Sequence, residues 1–363
     1  MERRSFIKKT AVGATGAAAT AIAAPAIAQA LPSIKWRLAS SFPKSLDTIY
    51  AAAEDMAKRV KGATEGRFDI RVFAAGEIVP AFGVVDAVQN GTVELAHTAS
   101  YYFVGKNKAF AFDTALPFGL NARQQNAWLY HGGGMPLLRE FYKEFSIVNF
   151  PGGNTGVQMG GWFRKEIKSL EDVKGLKIRI PGIGGEVFSK MGAVPQAIPG
   201  GDIYPALEKG TIDAAEWVGP YDDEKLGFFK VAPNYYYPGW WEPGPCLSFF
   251  INAKEWEKLP TAYKEIVEAA CAEANIRMMA EYDAKNPKAL ASLLSKGAKL
   301  HAYPKDVMEA AFKYAQEIYA DESSKNPAFK KLYEPWNRFR NESFQWAKVA
   351  EQGFANFAFN QKV

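Results

Sequence analysis

The chain of 363 residues contains only two cysteines and three histidines, so the side chains that bind transition metals are scarce. Cys246 and Cys271 form no C-x-x-C pair, and His97, His131 and His301 are scattered. A zinc or haem site needs such residues at short, regular spacing, so the sequence excludes both. An oxidising compartment would allow the two thiols to pair, but their apolar surroundings favour two buried single cysteines.

The chain also lacks a strong excess of charge of one sign. It has 44 basic and 39 acidic residues, a formal net charge of +5. Four basic residues and one acidic residue fall within the first 30 positions, which leaves 40 basic and 38 acidic residues, or +2, for the remainder. No basic stripe occurs there, so we expect no nucleic-acid partner. With 48% hydrophobic residues, the chain has enough apolar groups to fold rather than remain disordered.

The first 30 residues have the organisation of an export signal. Twin arginines, Arg3 and Arg4, precede an uncharged, alanine-rich stretch over residues 10–34, which contains a small-x-small site at residues 28–30. The stretch is long enough to span a bilayer, but it is weakly hydrophobic and its small-x-small site suits a signal peptidase. Twin arginines resemble the Tat signal of proteins exported in folded form. We therefore expect cleavage near Ala30 and a mature protein in the periplasm.

Signatures of catalysis are largely missing. The glycines that follow His131 look like the oxyanion loop of some hydrolases, but the companion G-x-S-x-G motif occurs nowhere. The glycines at 182–185 lack the G-x-G-x-x-G spacing of a dinucleotide loop. No P-loop and no Cys/His pair is present. The sequence therefore favours a binding protein over an enzyme, with a metal-dependent periplasmic enzyme acting on carboxylates as an alternative.

Strand and helix patterns alternate along the chain, which predicts an α/β architecture with a largely parallel sheet. Apolar periodicity predicts strands, helices and a helical C-terminal third. The predicted strands are Ile34–Ala39, Phe68–Phe73, Val157–Trp162, Leu176–Ile180 and Ile212–Val218. The predicted helices are Leu46–Val60, Ala122–Tyr130, Glu255–Asn286, Asp306–Asp321 and Phe329–Phe359.

One local pattern occurs twice. Residues 86–96 match residues 205–215, and both segments predict the end of a helix, a glycine cap and a short strand with an acidic residue on one of its faces. Such a junction is common enough to recur by coincidence. Together with the chain length, however, it suggests two similar lobes, each with its own small sheet.

Residues suited to bind a small anion are concentrated in the middle of the chain. Arg179 lies at the carboxyl end of a predicted strand, where open α/β sheets place ligands, and a guanidinium can hold a carboxylate through two hydrogen bonds. Its alternation with Lys177 is also what a solvated strand face would show. Asn154 and Gln158 lie in a glycine-rich stretch. The aromatic run at 235–242 has two possible interpretations. It is either part of the core and the lobe interface, or a platform on which a sugar stacks.

Several stretches of the chain resemble the extracytoplasmic solute receptors of tripartite ATP-independent periplasmic (TRAP) transporters, and the resemblance covers nearly the whole chain. Its Ala-Leu-x-x-Gly-x-Ile-Asp signature is typical of the family at large. The Gln-Met-Gly-Gly-Trp-Phe and Tyr-Pro-Gly-Trp-Trp stretches are similar to the branch that binds 2-oxo acids together with a cation. The stretches that carry the resemblance are Trp36–Pro43, Asn154–Phe163, Gly200–Ala214, Glu216–Asp223 and Tyr237–Glu242.

The resemblance implies a two-lobed periplasmic binding protein fold with a ligand cleft between the lobes. It implies a first lobe over residues 31–153 and a second lobe, with most ligand residues, over 154–245. Residues 246–363 would form a return strand and C-terminal helices that brace the lobes and build a homodimer. The receptor would capture a 2-oxo acid such as pyruvate, or a related 2-hydroxy acid, and deliver it to the TRAP membrane subunits. A receptor for a sugar acid or another carboxylate is the alternative.

The same resemblance assigns roles to individual residues. Arg179 would clamp the carboxylate, and Gln158 would contact both ligand and cation. Glu216, the backbone carbonyl of Trp217 and Glu242 would complete the cation site. An all-oxygen shell suits Na⁺ or Ca²⁺ rather than a transition metal, and no organic cofactor is implied. Further candidates for ligand contacts are Tyr101, Tyr102 and Asn154.

Overall fold

The computed structural model describes residues 31–361, and the predicted export signal lies outside this range. Eleven strands occur within it: β1 Ile34–Ser40, β2 Phe68–Phe73, β3 Leu95–Thr98, β4 Ile147–Asn154, β5 Trp162–Phe163, β6 Lys177–Arg179, β7 Val194–Gln196, β8 Ala214–Ala215, β9 Asn234–Tyr237, β10 Cys246–Asn252 and β11 Lys299–Ala302. The predicted strands at 34–39 and 68–73 are confirmed as β1 and β2. The strands predicted at 176–180 and 212–218 are confirmed in shortened form as β6 and β8.

Thirteen α-helices occur in the same described range. They are α1 Ala51–Ala63, α2 Val84–Gln89, α3 Ala111–Thr114, α4 Ala122–Tyr130, α5 Gly134–Lys143, α6 Gly182–Lys190, α7 Gly200–Glu208, α8 Pro220–Leu226, α9 Ala253–Lys258, α10 Thr261–Ser295, α11 Lys305–Lys325, α12 Pro327–Ala347 and α13 Gly353–Ala358. The helix predicted from residue 255 is divided at Pro260, which precedes α10. At 35 residues, α10 is about 52 Å long. No helix among residues 31–361 is both long and apolar enough to cross a lipid bilayer.

The strands form two mixed sheets, as the two-lobed fold requires. The first has the order β2-β1-β3-β10-β4, and the second has the order β11-β9-β5-β8-β6-β7. Strands β10 and β5 run antiparallel to both of their neighbours. The chain enters them at its first two passages between the sheets, and the prediction of a largely parallel sheet was wrong there. At the third passage the chain enters β11, which is parallel to β9.

The repeated sequence pattern marks two equivalent junctions. Gly91 and Gly210 follow the ends of α2 and α7, and both have φ +71°, a conformation that favours glycine. Glu94 Oε2 then accepts the backbone N–H of Arg37 in β1 at 2.6 Å. In the same way, Asp213 Oδ2 accepts the backbone N–H of Lys177 in β6 at 3.1 Å. Each acidic residue thus holds the parallel strand beside its own, as the interpretation of two similar lobes requires.

The predicted strand Val157–Trp162 is wrong except at its last residue. Residues 155–161 form a loop in which Gly156 has φ +70° and Gly161 has φ +86°. The backbone N–H groups of residues 158–160 donate to carbonyls of three different segments, at Glu242, Val218 and Tyr236. A strand would direct these groups to neighbouring strands in a regular ladder, so the three divergent bonds exclude one.

Candidate functional site

A small cavity lies between the two sheets, beyond the carboxyl ends of β3, β6 and β8. The space between protein atoms there, including the part that is open to solvent, is about 280 Å³. Six of the eight predicted site residues line it. The lining residues are Phe42, Ile49, Ala99, Tyr101, Tyr102, Thr155, Gln158, Arg179, Trp217, Val218, Glu242, Pro245 and Leu247.

Arg179 is the last residue of β6, and only 1% of it is exposed. Its Nε donates to the Ile198 carbonyl at 3.0 Å, and Nη1 donates both to the Glu216 carbonyl at 3.0 Å and to the Glu216 carboxylate. The prediction of Arg179 at a strand end is therefore confirmed, whereas the solvated-face alternative is excluded. Of the two basic residues of β6, only Lys177 is exposed to solvent. Within residues 31–361, Arg179 Nη2 and Glu216 Oε2 are buried and have no hydrogen-bond partner.

Two loops that cross beside Arg179 bring Gln158 and Glu242 to the cavity. The Gln158 N–H donates to the Glu242 carbonyl at 3.2 Å, and the Gly239 N–H donates to the Gln158 carbonyl at 3.0 Å. A Cβ at Gly239 would stand 2.6 Å from the carbonyl oxygens of residues 158 and 159, so only glycine permits this crossing. Gln158 Oε1 and Glu242 Oε2 are buried and, in the described part of the chain, accept no hydrogen bond.

Burial governs the ionisation of the carboxyl groups at this site. Desolvation raises the pKa of Glu216 to about 7, against the opposing effect of the Arg179 charge. Burial, followed by the charge of nearby Glu216, raises the pKa of Glu242 well above its ordinary value. Each carboxylate is therefore costly to keep charged unless a cation compensates for it.

Tyr101 and Tyr102 follow β3 and form the side of the cavity that faces Arg179. Burial raises the pKa of Tyr102 to about 12 and that of Tyr101 well above its ordinary value, so both hydroxyls remain protonated. A Cβ at Gly182, the first residue of α6, would lie 3.3 Å from the Tyr101 ring. The two lobes therefore meet at Tyr101.

Two predicted site residues do not line the cavity: Glu216, which is bonded to Arg179 behind the wall, and Asn154. Asn154 Nδ2 donates to the Gly244 carbonyl at 3.0 Å, and its Oδ1 accepts the Gly156 N–H at 2.8 Å. Both ends of the amide are thus engaged by backbone, and the side chain holds the loop that carries Gln158.

The aromatic run at 235–242 belongs to the core. Tyr235 and Tyr236 are fully buried, and Trp240 and Trp241 are 3% and 1% exposed. The Trp240 ring stacks on Phe118 with ring centroids 5.3 Å apart. Tyr237 is the one aromatic residue of the run that is exposed, at 42%, so the run offers no continuous aromatic platform to a sugar and most of it belongs to the core.

Sequence reasoning missed the apolar part of the cavity wall. Phe42 and Thr155 lie within stretches that carry the family resemblance, but no local pattern distinguished them from ordinary core residues. The other missed lining residues are Ile49, Ala99, Val218, Pro245 and Leu247.

The donor set at the cavity fits an anion and a cation held side by side. In the described range, one donor at the cavity, Arg179 Nη2, is buried without a hydrogen-bond partner. Three buried side-chain oxygens also have none; they belong to Gln158, Glu216 and Glu242. Such oxygens suit a hard cation, and the guanidinium suits a carboxylate. Cys246 and Cys271 are buried and free, as predicted.

Comparison with known proteins gives a consistent result. The family model described as bacterial extracellular solute-binding protein, family 7 (DctP), matches residues 39–326. A monocarboxylate 2-oxoacid-binding periplasmic protein of Nostoc sp. is 52% identical over 361 residues, which cover 99% of each chain.

Two solved structures of TRAP solute-binding proteins are similar to the chain along most of its length. The protein from Bordetella bronchiseptica is 56% identical with a TM-score of 0.89, covers 90% of this chain and 98% of its own, and is a mixed-occupancy dimer with calcium and picolinate. The protein from Pseudoalteromonas atlantica is 41% identical with a TM-score of 0.87, covers 90% and 99%, and holds sodium and pyruvate.

Proposed function

Because the chain belongs to the DctP family of bacterial extracellular solute-binding proteins, we propose that its cavity binds a 2-oxo monocarboxylate such as pyruvate together with Na⁺ or Ca²⁺. The protein is a TRAP solute-binding receptor and not an enzyme. The observation that carries the proposal is the set of buried, unpartnered polar atoms in the described cavity, one of them cationic and the rest oxygen acceptors. Related receptors with bound calcium or sodium and a carboxylate support it.

In this proposal the ligand carboxylate binds Arg179 Nη2, since Nη1 is already bonded to Glu216. Gln158 Oε1, Glu216 Oε2, Glu242 Oε2 and the Trp217 carbonyl oxygen surround the cation. The ion separates the two buried carboxylates from each other and from the anionic ligand, which removes a repulsion that a low-dielectric cavity would make severe. The hydroxyls of Tyr101 and Tyr102 face the ligand, and Asn154 acts through the loop that it holds.

We place the lobe boundaries beside two of the three places where the chain passes between the sheets, near residues 153–154 and 245–246. There the Thr155 N–H donates to the Pro245 carbonyl at 3.2 Å, next to the bond between Asn154 and Gly244. Bending at this adjacent pair of segments would open the cavity, as in hinge closure of two-lobed receptors. The C-terminal region from residue 246 braces both lobes, because β10 joins the first sheet and β11 joins the second.

We further propose that the receptor is exported through its twin-arginine signal, delivers its ligand to TRAP membrane subunits and forms a homodimer. The C-terminal helices support the last point, because they expose apolar side chains that a second copy would cover. The side chains concerned are Trp346, Val349, Phe354, Phe357 and Phe359. Light scattering of the purified protein should give twice the mass of one chain, and Phe354→Glu with Phe357→Glu should reduce it to one. A monomeric wild type would exclude the dimer.

The ligand and the ion are tested by calorimetric titration with pyruvate, 2-oxobutyrate, lactate and glucose. Each titration is run in sodium, in potassium with chelator, and with added calcium. We expect micromolar or tighter binding of 2-oxo acids, about −8 kcal/mol, only when Na⁺ or Ca²⁺ is present. Equal affinity in potassium with chelator would exclude the cation. Binding of glucose in place of the acids would exclude the carboxylate assignment.

A further inference from the structure

Asp222 is a fully buried carboxylate in α8, five residues after Trp217. Its Oδ2 accepts the Trp217 indole N–H at 3.2 Å and the Tyr282 hydroxyl at 2.7 Å. Trp217 lines the cavity, whereas Tyr282 lies on the long helix α10. One carboxylate oxygen therefore joins a side chain of the candidate site to the helix behind it.

The Trp217 ring occupies a confined position at the site. The Arg179 guanidinium lies over it, 5.1 Å from the ring centroid, and Phe42 of the first lobe meets it edge-on with centroids 6.4 Å apart. A Cβ at Gly200, the first residue of α7, would stand 2.5 Å from the ring. Rotation of the indole would uncover Arg179 and open the cavity wall.

Helix α10 extends this connection beyond the site. It packs against β4 and α1, which belong with the first sheet, and against α8 of the second lobe. Its Asn286 Oδ1 accepts the Tyr221 backbone N–H at 3.0 Å, next to the bond between Tyr282 and Asp222. The segment that follows Trp217 is thereby fastened to an element that contacts both lobes.

We propose that Asp222 is a positioning residue of the ligand site, which holds the Trp217 indole over Arg179 by anchoring it to Tyr282 on α10. A buried carboxylate that accepts two hydrogen bonds from fixed directions restricts the ring to one orientation, as partners behind a binding site do. The ring in turn keeps water from Arg179 and orients the Trp217 carbonyl. This inference rests on the proposed function, because it treats the cavity as the ligand site.

The next residue supplies a matched control. Asp223 is also buried, and its Oδ2 also accepts an indole N–H and a tyrosine hydroxyl, from Trp162 at 3.0 Å and Tyr235 at 2.8 Å. Those two rings stack with centroids 3.8 Å apart in the second sheet, and neither lines the cavity. Asp222 Oδ1 has no hydrogen-bond partner in the described part of the chain, so an asparagine there could keep both bonds, and the test uses leucine instead. Asp222→Leu and Asp223→Leu make the same change at adjacent positions, but only the first removes the partner of a cavity side chain. Asp223 Oδ1 accepts the Val218 N–H at 3.3 Å, so the control also removes one backbone bond beside the cavity.

The experiment measures two quantities for both variants. The indole ¹⁵N–¹H resonance of Trp217, assigned with Trp217→Phe, is recorded in the ligand-free protein, and pyruvate affinity is measured by calorimetry in the supporting ion. For Asp222→Leu we expect a shifted Trp217 resonance and at least tenfold weaker binding. For Asp223→Leu we expect the Trp162 resonance to shift, with affinity within about threefold of wild type. Tyr282→Phe, with Tyr235→Phe as its control, repeats the test with a milder change and an expected three- to fivefold loss.

Equal weakening by the two aspartate variants would show a structural role only and would overturn the inference. Unchanged affinity for Asp222→Leu and Tyr282→Phe would overturn it as well, as would an unshifted Trp217 resonance in Asp222→Leu. Failure of the proposed function is distinguishable, because the wild-type protein itself would then bind no 2-oxo acid. The ligand-free resonances would in that case still decide whether Asp222 holds the ring.

Discussion

The side of the cavity that comes from the first lobe is apolar or neutral, whereas the side from the second lobe carries the charges. Phe42, Ile49 and Ala99 line the first side, with the protonated hydroxyls of Tyr101 and Tyr102. Arg179, Gln158 and Glu242 line the other, and Glu216 is bonded behind them. An apolar side that excludes water strengthens every electrostatic interaction made by the charged side. The two lobes therefore contribute differently to one site, even though their sheets share a repeated junction.

The largest effect should come from removing the Arg179 guanidinium from the charged side of the cavity. Arg179→Met should weaken binding of 2-oxo acids at least 1000-fold, because the ligand carboxylate loses its guanidinium. It should also lower the free energy of unfolding by about 3 kcal/mol, because Glu216 is left buried without its partner. Calorimetry and urea unfolding measure the two effects. Lys177→Met, two residues away and exposed, is the control and should bind within threefold of wild type. A variant Arg179→Met that binds within tenfold would contradict the assignment.

An intermediate effect, on stability, should come from His97, which lies behind the neutral side of the cavity. This histidine lies fully buried in β3 against Phe42, and its Nε2 is 2.8 Å from the Gly152 carbonyl. Burial lowers its pKa from 6.5 to about 4. Between these pH values the folded protein binds fewer protons than the unfolded chain, so stability is complete above pH 6.5 and is lost as the pH falls towards 4.

The corresponding measurement is urea unfolding between pH 7 and pH 4. Wild type should lose about 3 kcal/mol more than His97→Gln over this range, because glutamine does not titrate. His131→Gln, which makes the same substitution at an exposed histidine, is the control. Parallel pH profiles for wild type and His97→Gln would show that folding does not lower the pKa of His97.

The smallest effect should come from the polar contact that joins the two sides outside the cavity. Asp47 of the first lobe accepts the Tyr221 hydroxyl at 3.2 Å and pairs with Lys225 of α8. Both charged side chains are partly exposed, so the pair contributes at most about 1 kcal/mol and is weakened by salt.

Asp47→Asn should therefore speed pyruvate dissociation by less than about fivefold at low salt and by less at 0.5 M salt. Stopped-flow tryptophan fluorescence measures the rate. Asp69→Asn breaks a similar surface pair with Lys61 inside the first lobe and should leave the rate unchanged. Equal effects of the two variants would show that closure does not depend on the Asp47 contact.

The parts of the fold that follow from local chemistry could be predicted from the sequence. The strands at 34–39 and 68–73 were evident from their side-chain alternation, and the two junctions from glycines that each require positive φ. Arg179 could be placed at a strand end, because a strand that runs into Pro181-Gly182 must stop there. The strand prediction failed at 157–161, where backbone N–H groups donate to three segments that are remote in sequence. No local sequence pattern indicates such partners.

The sequence alone determined the repeated helix-glycine-strand junctions, the arginine at a strand end and the scarcity of cysteine and histidine, and it predicts an export signal. Tertiary structure alone decided which atoms are left without partners, that Asn154 supports a loop rather than the cavity wall, and that Asp222 and its neighbour serve different indoles. The reason is physical. Propensity, glycine conformation and alternation act over a few residues, whereas burial and hydrogen-bond satisfaction depend on segments that are distant in the chain and meet only when both sheets are in place.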